Sequence, residues 1–350
     1  MRVAWTALGR IVFVALPAFL IVPPAHGPTE ANVAPPGLDV SQFLKTNAGF
    51  TDSDVQRAHR GDIVVRSLDA DDDTVGIAAA ALVAVPPAFF IEQVRHIEAF
   101  KKSPEVLAIG RLSAAPSVGE FARLSLDKGE LEEARKCRKG ACDLKLDAPG
   151  IDRLRALPPN ADVAATFRAH LTQYVANYLL QGNSALITYH DHPRPATLLA
   201  ELEKILKASP FIAREWPDLN NALAHFSGTL PEGLEGFTYW SKEKVGPRAS
   251  VSLTHVIIRP PNNGVAVIAS KQLYASHYAT ASLGFTVLID QSGTSGPRTL
   301  LIYMNRTRVD MFGGLLGGVK RTLVRSRAKA GAERMLLTLR TRLETEHGLH

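Results

Sequence analysis

Residues 75–100 read VGIAAAALVAVPPAFFIEQVRHIEAF. Val75 to Val85 is an apolar run of the length of a buried strand. Pro86-Pro87 stops it, and the fixed φ and missing N–H of proline suit the start of a following helix. Phe89, Phe90, Val94, Ile97 and Phe100 then recur at helical spacing, so Ala88 to Phe100 is predicted as a helix with one buried face. His96 belongs to that helix as a structural residue. Strand, Pro-Pro, helix is the pattern from which the rest of the chain is read.

Upstream, Phe43 to Arg60 holds a short helix and Asp62 to Leu68 a strand. Asp69 to Asp73 is an acidic turn that lacks the glycine and distal glutamate of a calcium loop. Downstream, Val106 to Leu112 is a strand, and Phe121 to Leu126 a short strand or the start of a helix. Asp143-Leu144-Lys145-Leu146 alternates like an exposed strand. The middle is helical: Ile151 to Leu157, Ala161 to Gly182, Thr197 to Ala208 and Asn220 to Phe226. The chain then turns to β at Phe237 to Trp240, Val251 to Arg259, Gly264 to Leu273, Ala281 to Asp290 and Thr299 to Asn305, with Gly, Pro and Asn turn signals between them. Leu315 to Glu344 closes the chain as one amphipathic helix, striped by Leu316, Val319, Leu323, Met335, Leu336, Leu339 and Leu343. The expected class is α+β: a curved antiparallel sheet covered by a long C-terminal helix, which buries the sheet's apolar face.

This order of parts resembles the START-like (SRPBCC, helix-grip) superfamily. Ala79 to Phe90 and His96 to Phe100 look like its first strand and the helix after the Pro-Pro, and Leu301 to Glu344 like its last strand and gripping helix. The likeness is architectural and covers the two ends of the domain. It implies one domain over residues 43–350, from whose family pattern this chain departs by a helical insertion at about 151–226 and by an extra strand, Ile63 to Leu68, before the usual first one. The family binds lipids, sterols, polyketides and other apolar molecules, and some members are enzymes. The resemblance therefore implies an apolar or amphipathic small molecule held between sheet and helix.

Of 350 residues, 46% are hydrophobic and 21% charged, which excludes a disordered, collagenous or coiled-coil chain. Arg2 and Arg10 flank the apolar run Ile11 to Val22, and Ala25-His26-Gly27 places small residues at a cleavage site. Residues 1–27 are read as a secretory signal, with an uncleaved membrane anchor as the alternative, and 28–42 as a Pro-rich linker. The formal charge of +6 makes the chain mildly basic. Export makes nucleic acid an unsuitable partner. The basic back of the last helix admits peripheral contact with an anionic membrane, against a solvated helix back as the plainer reading.

Cys137-Arg138-Lys139-Gly140-Ala141-Cys142 fits a disulfide across a hairpin. Lys139-Gly140 makes the turn, Arg138 and Ala141 the hydrogen-bonded pair, and the two cysteines the close pair beyond it. A redox pair or a metal site is the alternative; two cysteines are too few for a four-cysteine zinc centre.

Tyr189-His190-Asp191-His192 is the densest group of metal-capable side chains. Metal binding there needs a third ligand, such as His170 or Glu201; a polar loop is the simpler reading, and neither a metal nor a cofactor is expected. On a strand running through residues 271–278, Gln272, Tyr274, Ser276 and Tyr278 share one face and Lys271, Leu273, Ala275 and His277 the other. Ser276 and His277 then point apart and form no catalytic pair, and no Gly-x-Ser-x-Gly surrounds Ser276. Arg306, Arg308 and Asp310 suit a salt-bridge network at the last corner. The expected ligand-lining residues are Trp240, Gln272, Tyr274, Tyr278 and Arg306. Catalysis on the same scaffold, cyclase- or hydrolase-like, would use Tyr274, His277 or Arg306, and docking in an envelope complex would use the helical insertion.

Overall fold

In chain order the elements are α1 (Val40–Ala48), α2 (Asp52–His59), β1 (Val64–Ser67), β2 (Thr74–Val83), α3 (Pro87–Arg95), α4 (Ile97–Phe100) and β3 (Val106–Leu112). Then come α5 (Lys128–Lys136), α6 (Ala148–Arg155), α7 (Val163–Gln181), β4 (Thr188–Tyr189), β5 (Ala196–Thr197), α8 (Leu198–Lys207), α9 (Phe211–Glu215) and α10 (Pro217–Ala224). The chain ends with β6 (Glu235–Lys244), β7 (Ala249–Asn262), β8 (Val265–Ala275), β9 (Ala279–Asp290), β10 (Thr299–Val309) and α11 (Gly317–Gly348). The structure is a computed structural model that describes residues 38–294, 296–310 and 317–348. The expected signal and most of the expected linker lie outside the described residues; α1 begins inside the expected linker.

Among the described residues, eight strands form one antiparallel sheet in the order β1-β2-β10-β9-β8-β7-β6-β3, with β1 and β3 as its edges. The chain leaves the sheet after β2, returns at the far edge as β3, and fills the middle as a meander from β6 to β10. This arrangement, closed by α11, is compatible with a helix-grip architecture.

Both faces of the sheet are covered. One carries Ala80, Ile257, Ala269, Phe285, Val287 and Ile302, packed with α1, α2 and the helices between β3 and β6. The other carries Ala79, Val256, Ile268, Leu288 and Leu301, packed with Phe90, Ile91 and Val94 of α3 and with α11. A helix that fully buries a Leu, Ile or Phe against a sheet gains about 1.5–3 kcal/mol per side chain, so each face anchors its own layer.

Several expectations are corrected. The Phe43–Arg60 helix is two helices, because Gly49 at φ +67 caps α1 and a Thr51–Asp54 capping box starts α2. The helix after Pro86-Pro87 breaks at His96, whose ψ of 52° leaves the helical region. Phe121 to Leu126 is neither strand nor α-helix; a 3-10 turn over Val118–Phe121 precedes it. Residues 143–146 form no strand, and Leu144, Lys145 and Leu146 are buried. On α11 the buried stripe is Ala332, Leu336 and Leu343, with Ala328 and Leu339 beside it. Leu323 and Met335 are 49% and 44% exposed. At 3.6 residues per turn Leu323 falls on the opposite side of the helix from that stripe and Met335 at its edge. Leu316 and the side chain of Val319 lie outside the described residues.

Cys137 and Cys142 form a disulfide. Arg138 and Ala141 pair as expected, with N–H to C=O distances of 3.1 and 3.0 Å, and Gly140 takes φ +80.

Candidate functional site

The face shared by α3 and α11 changes character along its strands. Beneath α3 its residues are apolar and buried: Phe237, Val256, Ile258, Ile268, Leu288 and Leu301. Further along, the same face carries polar groups. Tyr303 lies opposite Thr286, Asn305 opposite Gly284, and Gly284 opposite Ser270. Thr254 lies between Tyr239 and Gln272. Tyr303, Asn305, Thr286 and Ser270 are partly exposed. A helix packed on a sheet favours apolar side chains at such positions, since unpaired polar groups are costly to bury. This polar floor is the candidate site.

Its flank on β6 is an ion pair. Lys101 Nζ, just after α4, lies 2.6 Å from Glu243 Oε1, 3.4 Å from the Tyr239 hydroxyl and 5.3 Å from the centre of that ring. Burial works against the Lys101 ammonium, but Tyr239 and Glu243 outweigh it and hold its pKa above the ordinary lysine value. Burial likewise opposes the Glu243 carboxylate, and Lys101 keeps its pKa below the usual range. Ser241 Oγ adds a 2.6 Å bond to Glu243. From β10, burial pushes Tyr303 up to about 12, with Lys101, Tyr239 and Glu243 also acting on its hydroxyl. On the same face the intervening strands carry the small residues Gly284, Ser270 and Thr254. A Cβ at Gly284 would lie 3.3 Å from Asn305 Nδ2, so glycine leaves room for that amide.

The floor holds two kinds of polar group. Asn305, Ser282 and Thr307 satisfy one another, with contacts of 2.8 to 3.2 Å. The Tyr303, Thr286 and Ser270 hydroxyls bond no other side chain among the described residues, whereas the buried Gln272 side chain is engaged with the Tyr189 hydroxyl.

Of the expected lining residues, only Gln272 belongs to this face. The register shifts between Leu253 and Thr254, so Tyr274 opposes Leu253 while Gln272 opposes Thr254. Leu273 and Tyr274 therefore both face the helical layer, and strict alternation fails. Tyr274 is fully buried there, its hydroxyl donating to Lys145 O at 2.8 Å. Trp240 follows Tyr239 and points to the opposite face, stacked on Phe121 at 5.8 Å and donating to Glu120 O at 2.9 Å. β8 ends at Ala275, so Tyr278 sits in the turn at φ +66, where its hydroxyl accepts from Arg248 N at 2.8 Å. Arg306 donates to Asp69 O at 2.5 Å. The structure does not bring these five residues together. Lys101, Tyr239, Glu243 and Tyr303 were missed; the alternation Tyr239-Ser241-Glu243 was the available signal.

The corner network is also corrected. Arg308 reaches Asp71 at 2.6 Å and pairs with Glu201, whereas Asp310 pairs with Lys145.

The Tyr189–His192 segment is held by the disulfide loop: Gly140 N–H donates to His190 O at 2.8 Å and Cys142 N–H to Asp191 O at 3.0 Å. Asp191, His192 and Asp310 converge within 4.8 Å. Lys145 Nζ lies 3.1 Å from Asp191 and also bonds Asp310, so an ammonium already compensates both carboxylates. Neither suggested third ligand joins them: His170 pairs with Asp147 at 3.2 Å, and Glu201 with Arg308. A cleft of about 540 Å³ beside the disulfide is lined by Glu132, Glu133, Asp191 and His192. Another of about 410 Å³ is lined by Asp147, His170, Tyr174 and His190.

Ser276 and His277 do meet, Oγ to Nδ1 at 2.8 Å, because both lie beyond the end of β8. His277 Nε2 is 3.6 Å from Glu133 Oε2. Ser276 is 1% exposed and its Oγ accepts from Val251 N, so no substrate reaches it as a nucleophile.

No family model, no curated protein and no solved structure matches the chain.

Proposed function

We propose that this is an exported helix-grip protein that binds an amphipathic small molecule between the sheet and the C-terminal helix, without covalent chemistry. The observation that carries this reading is the switch on one sheet face from buried apolar side chains to half-exposed hydroxyl and amide groups, of which the Tyr303, Thr286 and Ser270 hydroxyls bond no other side chain among the described residues. α11 packs chiefly on β1 and β2, so Thr286, Ser270 and Gln272 on β8 and β9 lie beside that helix rather than beneath it. Ligand sites combine an apolar surround with a few polar groups that orient the ligand. The strand order and closing helix support the helix-grip assignment. The disulfide fits an oxidising compartment. No helix among the described residues is long and apolar enough to cross a membrane.

The test is to express the chain with its N-terminal segment in an oxidising compartment, purify it without detergent, extract it with organic solvent and weigh the extract. The expected result is one amphipathic compound at stoichiometric amount. Clean protein, obtained again from its native envelope, would overturn constitutive binding.

A further inference from the structure

We infer that a cleft at one end of the sheet, apart from the polar floor, binds a phosphate monoester. The cleft, of about 450 Å³, is lined by Arg60 and Gly61 after α2, Ala84 after β2, Arg298 before β10, and Arg340 and Glu344 of α11. Three arginines from segments far apart in the chain therefore meet in one hollow. None of them forms an ion pair among the described residues. Arg57, by contrast, close to Arg60 in α2, is paired with Asp62 at 2.9 Å. Arg340 and Glu344 stand at i and i+4, the spacing of a helical ion pair, yet they turn apart. Arg340 Nη1 donates to Gly61 O at 2.8 Å, and Glu344 Oε1 accepts from Ala84 N at 2.9 Å. The carbonyl fixes the Arg340 guanidinium without cancelling its charge.

The charge balance selects the ligand. Three guanidinium groups against one carboxylate leave an excess of two positive charges, which a phosphate monoester, carrying about −1.5 to −2 at neutral pH, matches. Guanidinium forks also pair phosphate oxygens two at a time. Helix polarity alone does not explain the cluster. It favours a basic residue such as Arg60 at the end of α2. Arg298 belongs to no helix, and Arg340 lies well before the last turn of α11. Arg60 and Arg298 make no side-chain hydrogen bond among the described residues, so both forks are free for the oxygens of the ligand. Soluble phosphates and lipid heads present the same group.

The test is isothermal calorimetry with glycerol 3-phosphate on the full chain, disulfide intact, at physiological ionic strength. Saturable binding to the wild-type chain is expected. Arg60→Gln with Arg298→Gln removes two exposed charges and is expected to weaken it at least about tenfold. Arg327→Gln with Arg334→Gln removes the same charge from the exposed back of α11, and binding is expected to stay within about twofold because salt screens separated charges. Urea midpoints, measured alongside, separate lost contact from lost folding. Sedimentation with phosphatidylcholine vesicles, with and without phosphatidic acid, identifies the source. Retention only by phosphatidic acid, lost in the cleft variant, supports the site with a lipid head as ligand. Binding of glycerol 3-phosphate without retention supports it with a soluble phosphate. Equal effects of the two double variants, whether loss or none, overturn the inference. Absence of binding by both probes overturns it too, as does vesicle retention that the cleft variant keeps in a chain that ignores glycerol 3-phosphate.

Discussion

The backbone N–H of Ala275 donates to the hydroxyl of Tyr189 at 3.1 Å, at a point where β8 has lost its neighbour. Pairing between β8 and β9 ends at Lys271 opposite Leu283. Beyond it Tyr174 donates to Leu273 O at 2.6 Å, so two tyrosine hydroxyls from the helical layer take over the hydrogen bonding of a missing strand. Tyr189→Phe is expected to leave a buried N–H unpaired and to cost about 1–3 kcal/mol in urea unfolding. An unchanged midpoint would show that the gap is not held by that hydroxyl.

The disulfide closes a short loop, so its removal by Cys137→Ser with Cys142→Ser is expected to cost about 2 kcal/mol. The effect should also be local to a distant segment. Gly140 and Cys142 hold the carbonyls of His190 and Asp191. Hydrogen exchange should therefore rise at residues 188–192 in the double variant; uniform protection there would contradict this coupling.

Two buried bases give stability a defined pH dependence. Burial lowers the pKa of His255 from 6.5 to about 3, with Lys271 adding to the effect, and burial lowers Lys271 from 10.5 to about 7. Both groups bind fewer protons in the folded state than in the unfolded one, so stability rises with pH in each window. For His255 the window runs from about 3 to 6.5, and for Lys271 from about 7 to 10.5. Urea midpoints across pH 4 to 9.5 should climb in both windows. Lys271→Met should abolish the upper climb and keep the lower. A midpoint that falls between pH 7 and 9 in the wild-type chain would contradict the burial of an uncharged lysine.

The grip of α11 on the sheet rests on few side chains. Leu336 is 2% exposed, and Leu336→Ala is expected to cost about 2–5 kcal/mol. Leu337, its neighbour, is 50% exposed, and Leu337→Ala should stay within about 0.5 kcal/mol. Equal losses would mean that the helix is rotated about its axis.

The strands from β6 to β10 were legible because Pro-Asn-Gly and Ser-Gly clusters bound runs of β-branched residues, and the disulfide hairpin because its turn chemistry is local. The candidate site was not legible for the opposite reason. Its floor unites Lys101 from the loop after α4, Tyr239 from β6, Ser270 from β8 and Tyr303 from β10, and only the strand order brings these together. Gln272 was found through strand alternation, and Tyr274 was assigned to the wrong face because a one-residue register shift leaves no mark in the sequence. Lys145 looked like an exposed strand residue. Its two carboxylate partners, Asp191 and Asp310, lie far along the chain on either side of the meander.

The central claim is that ligand lies on the polar floor between the sheet and α11. The most direct measurement is photolabelling with a diazirine-bearing alkyl amphiphile, followed by peptide mapping of the cross-links. The account predicts labels on β8, β9 and β10 around Ser270, Thr286 and Tyr303, and on the facing stretch of α11. Labels confined to the helices between β3 and β6, beside the clefts at Asp191 and His170, would contradict it.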